Sequence, residues 1–350
     1  MRLPRPQPSW QLALQRSWRQ RSLAGWLLWP VSLVLRGLIR LRQGLYMSGM
    51  WRREQMPVPV VVIGNVVAGG AGKTPVVIAL VEHLKAQGHH PGVISRGHGR
   101  ARRDCREVHP TSLPQDVGDE PCLVQRRTGV PVFVAPRRTQ AAQALLAQYP
   151  ATDVLISDDG LQHLALGRDI EICVFDDRGL GNGWLLPAGP LREPWPRDVD
   201  LVLHSGAHPA FSGLRSHRAL ADHAVNAEGQ QVALAALAER SQQGTPIWAL
   251  AGIAQPQAFF DMLQACGLVL AGTFAFPDHA PLDQCTLPDA PGGLLLCTEK
   301  DAVKLWQHRP DALAVPLEFM PQPAFFQQFD RLLNDALRAR LSSTHGHSTP

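Results

Sequence analysis

The sequence has 350 residues, a formal net charge of +4, 45% hydrophobic residues and 18% charged residues. This length and composition suit one large folded domain or two ordinary ones and exclude a polar, disordered chain. The six cysteines form no CxxC pair, and several lie in apolar runs. That pattern argues against a structural zinc site and favours a reducing compartment.

The basic excess is confined to the amino-terminal 55 residues. They contain ten arginines and one acidic residue, Glu54, so the remainder of the chain is net acidic. A local concentration of this kind favours an anionic surface as the partner and argues against a nucleic-acid groove along the whole protein.

An apolar run of fourteen residues, 22–35, follows the first arginines and contains two tryptophans and Pro30. A membrane-spanning helix needs about 20 apolar residues, and proline breaks helices. The pattern therefore predicts two short amphipathic helices, separated at Pro30, that lie on a bilayer with arginines at anionic headgroups. A signal peptide is disfavoured because Arg36 ends the run without a cleavage site. A hairpin packed on the core, or a dimer contact, is the alternative.

A phosphate-loop pattern follows an apolar, β-branched run at 58–63. The loop pattern contains Gly69, Gly70, Ala71, Gly72, Lys73, Thr74 and Pro75. A helix with periodic apolar residues is predicted after it and ends at Gly88. Glycines let backbone N–H groups converge on phosphate oxygens at a helix amino terminus. These seven residues are predicted to bind nucleotide phosphates, with Lys73 at the β/γ-phosphates and Thr74 on Mg²⁺. The match is to GGxGKT, because Val67 stands where the full motif has glycine.

A second apolar strand, 151–157, ends in Asp158, Asp159 and Gly160. Acidic residues at the carboxyl end of a strand beside a phosphate loop are typical of Mg²⁺ ligands in P-loop enzymes. Asp158 and Asp159 are therefore predicted to hold Mg²⁺ together with Thr74. A simple turn is the alternative interpretation of this acidic sequence.

Further strands are predicted at 91–95, 130–135, 170–175 and 199–204, with a helix over 137–148. This alternation predicts an α/β fold with a P-loop NTPase-type, mainly parallel sheet and a second, smaller α/β domain. The stretch 205–243 is predicted to be irregular. The predicted division is an amphipathic membrane-associating helical segment, a P-loop domain, a carboxyl-terminal α/β domain and a polar tail, at 1–55, 56–235, 236–340 and 341–350.

The ordered set of sequence blocks resembles the tetraacyldisaccharide 4'-kinase family, the lipid A kinases of Gram-negative bacteria. The resemblance covers about residues 20–335. The blocks are GNVVAGGAGKTP at 64–75, SRGHGR at 95–100, VGDEP at 117–121, SDDGLQH at 157–163, LLPAGPLREP at 185–194, AGIAQPQAFF at 251–260, FPDHAP at 276–281 and TEKDAVK at 298–304. Departures are His98 for the usual tyrosine, Ala280 for a second histidine, and Val67 and Ala71 for serine or threonine.

The resemblance implies a kinase that uses ATP and Mg²⁺. It would transfer the γ-phosphate to the 4'-hydroxyl of a tetraacyldisaccharide 1-phosphate and give lipid IVA. The implied partners are this glycolipid and a membrane surface with anionic lipid, at the cytoplasmic face of the inner membrane, with peripheral or monotopic attachment. Neither a nucleic acid nor an obligate protein partner is indicated.

The resemblance also implies a catalytic pair, Asp119 of VGDEP and His279 of FPDHAP, which would take the proton of the sugar hydroxyl while Lys73 neutralises phosphate charge. Arg96 and Arg100 are predicted to bind a phosphate of ATP or of the glycolipid, because guanidinium groups make bidentate phosphate contacts. Gln162 and His163 are predicted as neighbouring substrate contacts.

Two other classes of protein remain open from the residues alone. A regulatory or assembly P-loop ATPase that acts on a membrane partner would often carry a second lysine, where this chain has Ala68. A nucleotide-binding membrane anchor without catalysis would not need Asp119 and His279.

Overall fold

The computed structural model describes residues 17–206, 209–278, 280, 282 and 293–345. Its strands are β1 Val60–Gly64, β2 Pro91–Ser95, β3 Arg106–Glu107, β4 Val132–Val134, β5 Val154–Asp158, β6 Ile170–Phe175, β7 Leu201–His204, β8 Leu214–Leu220, β9 His223–Val225, β10 Gln231–Ala233, β11 Ile247–Ala251, β12 Leu270–Ala275, β13 Leu294–Thr298, β14 Leu313–Val315 and β15 Leu317–Pro321. Its helices are α1 Leu23–Met47, α2 Lys73–Ala86, α3 Pro114–Val117, α4 Asp119–Thr128, α5 Arg138–Gln148, α6 Leu234–Gln242, α7 Pro256–Ala265, α8 Glu299–Leu305 and α9 Pro323–His345.

The larger sheet has nine strands in the order β15-β8-β7-β6-β1-β5-β2-β4-β3. The strands from β8 to β4 are parallel, and the two edge strands, β15 and β3, are antiparallel to their neighbours. The central strands β1 and β5 are buried along their whole length, as expected for strands covered by helices on both faces. The predicted mainly parallel α/β sheet is confirmed.

Helices cover both faces of this sheet. On one face, α2 and α4 pack over alternate strand residues together with Phe325 and Phe329 of α9. On the other face, α5 packs with Leu35 and Ile39 of α1 against the opposite side chains of the same strands. The amino-terminal and carboxyl-terminal helices therefore both belong to the body that carries the phosphate loop.

The smaller sheet has six strands in the order β10-β9-β14-β13-β11-β12. Its core joins α6 and α7 on one face, and α8 lies on the other. The chain enters this sheet at β9 and leaves it after β14 to return to the larger sheet as β15. The chain thus crosses between the two sheets twice, after β8 and after β14, and neither crossing lies at residue 235. The predicted division into domains stays a prediction.

Two local predictions are wrong. The stretch 205–243 contains β8, β9, β10 and α6. These strands are short and rich in polar residues, so they lack the continuous apolar run by which buried strands are recognised. The predicted break at Pro30 is also absent, because α1 continues through this residue. Proline lacks only one helical N–H donor, and the packing of α1 on the body holds the turns on either side.

Candidate active site

The candidate site lies at the carboxyl edge of the larger sheet, where β1 and β5 end side by side. The two strands are parallel neighbours, with Ile63 opposite Asp158. The phosphate loop leaves β1 at this edge, and the acidic pair follows at the end of β5. In open α/β sheets this edge, next to the crevice between neighbouring loops, is where ligands bind.

Lys73 begins α2 directly after Gly72, whose φ of 72° requires the left-handed conformation that glycine adopts without strain. The lysine Nζ lies 3.3 Å from Asn65 Oδ1 and 3.4 Å from Asp159 Oδ1. Asn65 is buried and donates from its side chain to the carbonyl oxygens of Val67 and Gly69, at 2.7 and 3.2 Å. The loop is thereby closed on itself, with the lysine ammonium at the sheet edge.

Two arginines that the sequence did not single out bind the outside of the loop. Arg178 donates to the carbonyl oxygen of Gly70 at 2.6 Å, and Arg218 donates to that of Ala71 at 3.0 Å. Arg218 comes from β8, within the stretch that was predicted to be irregular. Burial lowers the pKa of Arg218, while Asp176 and Asp177 partly offset this effect. Both guanidinium groups add positive charge beside the loop that is predicted to hold phosphates.

Asp158 is buried at the end of β5, and its Oδ1 has no hydrogen-bond partner in the part of the chain that the structure describes. Burial and, to a lesser extent, the nearby negative charge of Glu120 raise the pKa of this carboxyl to about 7, against the opposing effect of Lys73. A buried carboxylate oxygen without a partner is costly unless a cation or donor occupies the space beside it. Asp158 is therefore suited to bind a cation.

Asp159 has the opposite electrostatic setting, although it is the next residue. Its φ of 48° turns the chain out of the strand, and its carboxylate meets Lys73 at 3.4 Å and Arg192 Nη1 at 3.1 Å. Burial would raise the pKa of this group, but Lys73 and Arg192 together lower it below its usual value. Asp159 is thus an ionised anchor for two cations.

These residues fit Mg²⁺, whose ligands are oxygens. Two oxygen ligands of the type this ion prefers are present: the hydroxyl of Thr74, in the first turn of α2, and the carboxylate of Asp158. The Oδ1 of Asp158 has no hydrogen-bond partner among the described residues and is therefore available to a cation. No group of three His, Cys, Asp or Glu side chains suited to a metal occurs within the described ranges. That is compatible with Mg²⁺, which commonly takes one or two protein carboxylates and completes its shell with phosphates and water.

A group of basic side chains surrounds the acidic pair. Arg138, at the start of α5, is buried and donates to the carbonyl oxygens of Asp158 and Asp159 at 3.3 and 3.1 Å. Burial lowers the pKa of Arg138 to about 10, and the charges of Arg96 and Arg100 act in the same direction. Mutually repelling cations at one place are stabilised when an anion binds among them.

Two predicted substrate residues belong to this basic group. Both Nη atoms of Arg100 are buried without a hydrogen-bond partner among the described residues. Burial lowers the pKa of His163 to about 4, with Arg138, Arg168 and Arg42 acting in the same direction. His163 is consequently neutral at physiological pH. The group combines permanent guanidinium charge with unused donors, as a phosphate site requires.

Gln162, also predicted as a substrate contact, is engaged in holding the site together. Its amide nitrogen donates to the carbonyl oxygen of Asn65 at 3.0 Å and to Glu193 at 2.7 Å. Its oxygen accepts from Arg192 at 3.4 Å. The side chain thereby ties the beginning of the phosphate loop to the LLPAGPLREP block.

Asp119 opens α4, in a turn that packs against the SRGHGR loop. A Cβ added at Gly97 would lie 2.5 Å from the carbonyl oxygen of Val117, and one at Gly118 would lie 3.0 Å from the Cα of Gly97. The close contact of these two segments therefore depends on both glycines. Asp119 is buried, and its Oδ2 lies 2.6 Å from the Nζ of Lys304, which comes from α8 on the smaller sheet.

The helix that Asp119 opens, α4, packs on α2, the helix that Lys73 opens, in one hydrophobic cluster. His279, the predicted partner of Asp119, lies outside the described residues, so the pair stays a prediction. The flanking residues Asp278 and Ala280 are described, and both contact lysines of α8. Of the predicted site residues, Lys73, Asp159 and Gln162 are joined by direct contacts at one sheet edge, whereas Asp119 contacts the smaller sheet through Lys304.

Helix α1 lies on the body beside the LLPAGPLREP block. The hydroxyl of Ser32 donates to the carbonyl oxygen of Leu185 at 2.8 Å, and Trp26 meets Trp184 edge to face at 4.9 Å. A cavity of about 90 Å³ between the helix and this block is lined by apolar side chains, among them Trp29 and Leu33, and by Ser32 and Arg36. The opposite face exposes a continuous apolar stripe made of Leu23, Leu27, Val31, Val34, Leu38 and Leu41.

Among the described residues, α1 is the helix that is long and apolar enough to cross a membrane by length and composition. Its 25 residues exceed the fourteen-residue apolar run, because the helix continues through Arg36, Arg40 and Arg42. The exposed stripe makes the helix compatible with membrane association.

The sequence did not assign Arg138, Arg192, Lys300 and Lys304 to the site. Arg192 and the two lysines lie inside sequence blocks that carry the family resemblance. Membership of a block singles out these residues but does not indicate what they do. The lysines carried one further signal, because only Lys73, Lys85, Lys300 and Lys304 occur in the whole chain. Arg138 had no such signal.

A glycine-rich loop between a buried parallel strand and a helix, with an acidic pair at the end of the neighbouring strand, defines a P-loop nucleotide-binding protein. The family model described as LpxK, tetraacyldisaccharide-1-P 4'-kinase, matches residues 24–334. The chain belongs to this family, and the predicted family membership is confirmed.

Individual relatives agree with this assignment. The tetraacyldisaccharide 4'-kinase of Polaromonas naphthalenivorans is 57% identical over 345 residues, which are 96% of this chain and 98% of that protein. The one from Acidovorax sp. strain JS42 is 56% identical over 336 residues, 95% of this chain and 96% of that protein. The crystal structure of LpxK from Aquifex aeolicus, described as an apo form in complex with ATP, superimposes with a TM-score of 0.77 at 26% identity and covers 90% of this chain and 99% of that chain.

Proposed function

We propose that the protein is an ATP-dependent kinase that phosphorylates the 4'-hydroxyl of a tetraacyldisaccharide 1-phosphate and forms lipid IVA. The observation that carries this proposal is that α4, which begins with Asp119, packs on α2, which begins with Lys73, in a chain of the tetraacyldisaccharide 4'-kinase family. A phosphate loop alone would fit an ATPase equally well. The buried carboxylate at the domain junction adds a group able to act on an acceptor hydroxyl.

The segment from Gly69 to Pro75 would hold the ATP phosphates, with its backbone N–H groups and the ammonium of Lys73 neutralising negative charge. Asp159 positions that ammonium, since the two groups lie 3.4 Å apart. When bound, Mg²⁺ would neutralise further phosphate charge, and Thr74 and Asp158 would hold it, with Asp159 contributing directly or through water. Positioning and charge neutralisation are the main requirements of phosphoryl transfer.

Asp119 would act as the general base. Its carboxylate accepts the proton of the 4'-hydroxyl while the hydroxyl oxygen forms a bond to the γ-phosphorus, and the bond from that phosphorus to the β,γ-bridging oxygen breaks, so that ADP leaves. In the predicted pair, this carboxylate also fixes the orientation of the His279 imidazole, so that the two residues take up the proton as a unit. The carboxylate is buried, which shields the reaction from bulk water.

The basic group of Arg96, Arg100 and Arg138 would bind a phosphate group. The buried, unpartnered Nη atoms of Arg100 support this assignment, and neutral His163 can contact the sugar without adding charge. The 1-phosphate of the glycolipid matches such a site, because a fixed anionic group at one end of the disaccharide would orient the other end.

The apolar stripe of α1 would rest on the bilayer that carries the glycolipid. Exposed leucine and valine side chains along one face, with arginines at the carboxyl-terminal half of the helix, suit an interface that contains anionic lipid. The expected location is the cytoplasmic face of the inner membrane, where ATP is available. The substrate would then reach the site without leaving the lipid phase.

The direct test supplies purified protein with γ-labelled ATP, Mg²⁺ and a monophosphorylated tetraacyl disaccharide in mixed micelles. Transfer of label to the lipid is expected, and an acceptor methylated at the 4'-oxygen is the matched control that should remain unlabelled. Release of labelled inorganic phosphate at the same rate with and without the disaccharide would indicate an ATPase and contradict the proposal.

A further inference from the structure

The TEKDAVK block, residues 298–304, is one of the sequence blocks to which the proposed reaction assigns no role. It forms the end of β13 and almost all of α8 on the smaller sheet. Thr298 caps the helix by accepting from the backbone N–H of Asp301 at 3.2 Å. α8 faces α4, the helix that begins with Asp119, so this block lies directly across the junction between the two sheets.

Two lysines of α8, one helical turn apart, each bridge the same two segments. Lys304 Nζ lies 2.6 Å from Asp119 and donates to the carbonyl oxygen of Ala280 at 3.2 Å. Lys300 Nζ lies 2.8 Å from Asp278 and 3.8 Å from Glu120. The first turn of α4 and the segment that flanks residue 279 are therefore connected to each other through both lysines.

The lysine helix is itself anchored. Asp301, between the two lysines, is buried and accepts from the backbone N–H of Gly252 at 2.8 Å and from the hydroxyl of Thr298 at 2.6 Å. This contact fastens α8 to the loop after β11 in the smaller sheet. The ammonium groups consequently project from a rigid support, and their positions are determined by the smaller sheet.

The Lys304–Asp119 ion pair is more deeply buried than another ion pair between α4 and α8, so its loss should have the larger effect. The side chains of Lys304 and Asp119 are only 9% and 10% exposed, whereas the outer pair of the same two helices, Arg127 and Glu299, includes an arginine that is 32% exposed. Removing one partner of a buried ion pair leaves an uncompensated charge that tends to move or take up a proton. Removing one partner of an exposed pair has little effect.

We propose that Lys304 is a positioning residue for the reaction: it holds Asp119 in place and aligned with the segment around residue 280, and so couples the smaller sheet to the general base. This inference rests on the proposed role of Asp119. Lys304 acts through that carboxylate and not on the ATP phosphates, which distinguishes it from Lys73.

The test is a double-mutant cycle with Lys304→Met and Asp119→Asn, measured as kcat and KM for ATP in the micelle assay. Lys304→Met is expected to lower kcat about 10- to 100-fold, the size expected when a reacting group is misplaced by about 1 Å, and to leave KM for ATP within about twofold. In the Asp119→Asn background the same substitution should cost less than about twofold, because residues that act as a unit are non-additive.

Arg127→Met is the matched control, since it removes a cation of the same α4–α8 junction outside the site, and its kcat should stay within about twofold of the wild type. Lys304→Gln, which keeps donors but loses the charge, replaces Lys304→Met if thermal unfolding shows that the latter does not fold. An unchanged kcat in the Lys304 variant, or an equal loss in both backgrounds, would overturn the inference alone. An unchanged kcat in Asp119→Asn would overturn the proposed base, and the inference with it.

Discussion

The phosphate loop and the α4–α8 junction are both parts of the candidate site, but they are built in different ways. The loop closes within one short segment, where Asn65 binds Val67, Gly69 and Lys73. The junction brings Asp119 of the larger sheet against Lys304 of the smaller one. A local segment can bind phosphate in any arrangement of the two sheets, whereas the junction requires both sheets in register. ATP binding and hydroxyl activation should therefore respond differently to substitution.

The largest expected effect concerns the loop. Lys73→Ala removes the ammonium that lies between Asn65 and Asp159, so phosphoryl transfer should fall at least about 10³-fold while the fold is retained. The measurement is kcat together with a thermal unfolding curve. Lys85→Ala is the matched control, because this lysine lies on the same helix, pairs with Glu82 at the surface and should leave kcat unchanged.

The contribution of membrane binding can be measured separately from those of the phosphate loop and the α4–α8 junction. The double substitution Leu27→Glu and Leu38→Glu places charge on the exposed stripe of α1, where both leucines are more than half exposed, so folding should be unaffected. Binding to anionic vesicles should weaken at least about tenfold because each leucine loses favourable contact with the apolar phase. ATP affinity should not change. Vesicle sedimentation equal to that of the wild type would show that the stripe does not contact lipid.

A smaller effect concerns stability. The pKa of His163 is lowered to about 4 in the folded protein, against about 6.5 in an unfolded chain. Its contribution to stability is therefore present above pH 6.5 and is lost as the pH falls towards 4, by about 1 kcal/mol at pH 5 after a discount for its partial exposure to solvent. The variant His163→Gln should lose less free energy of unfolding between pH 7 and pH 5 than the wild type does. Urea unfolding at pH 7 and pH 5 measures the difference, and exposed His90→Gln should behave as the wild type does.

The sequence predicted most of the fold. The bounds of β2 and β6 agree residue for residue with the predicted strands 91–95 and 170–175, since short, largely apolar runs that contain valine and isoleucine and end at turns favour strands. The strands β8 and β15 were missed because β15 is the edge strand and β8 lies next to it, where exposed positions interrupt the buried apolar run. The continuous α1 was missed because packing of Ser32 on Leu185 is a tertiary contact.

The same distinction between local sequence patterns and tertiary contacts separates the site residues that were predicted from those that were not. Lys73, Asp158 and Asp159 were predicted because a strand, a glycine loop and a second strand with terminal acids are each visible within a few residues. Lys304 and Arg192 could not be given roles in this way, because each acts through a residue that is distant in the chain and becomes its neighbour only when the sheets assemble.

The most direct test of this division measures two quantities on two variants. The dissociation constant for ATP and the single-turnover rate of transfer to the lipid are determined for Lys73→Ala and Asp119→Asn. Lys73→Ala should weaken ATP binding and abolish transfer. Asp119→Asn should keep the ATP dissociation constant within about twofold of the wild type and lose transfer by about 10²- to 10⁴-fold, the range for a general base. Equal weakening of ATP binding in both variants, or a normal transfer rate in Asp119→Asn, would contradict the account.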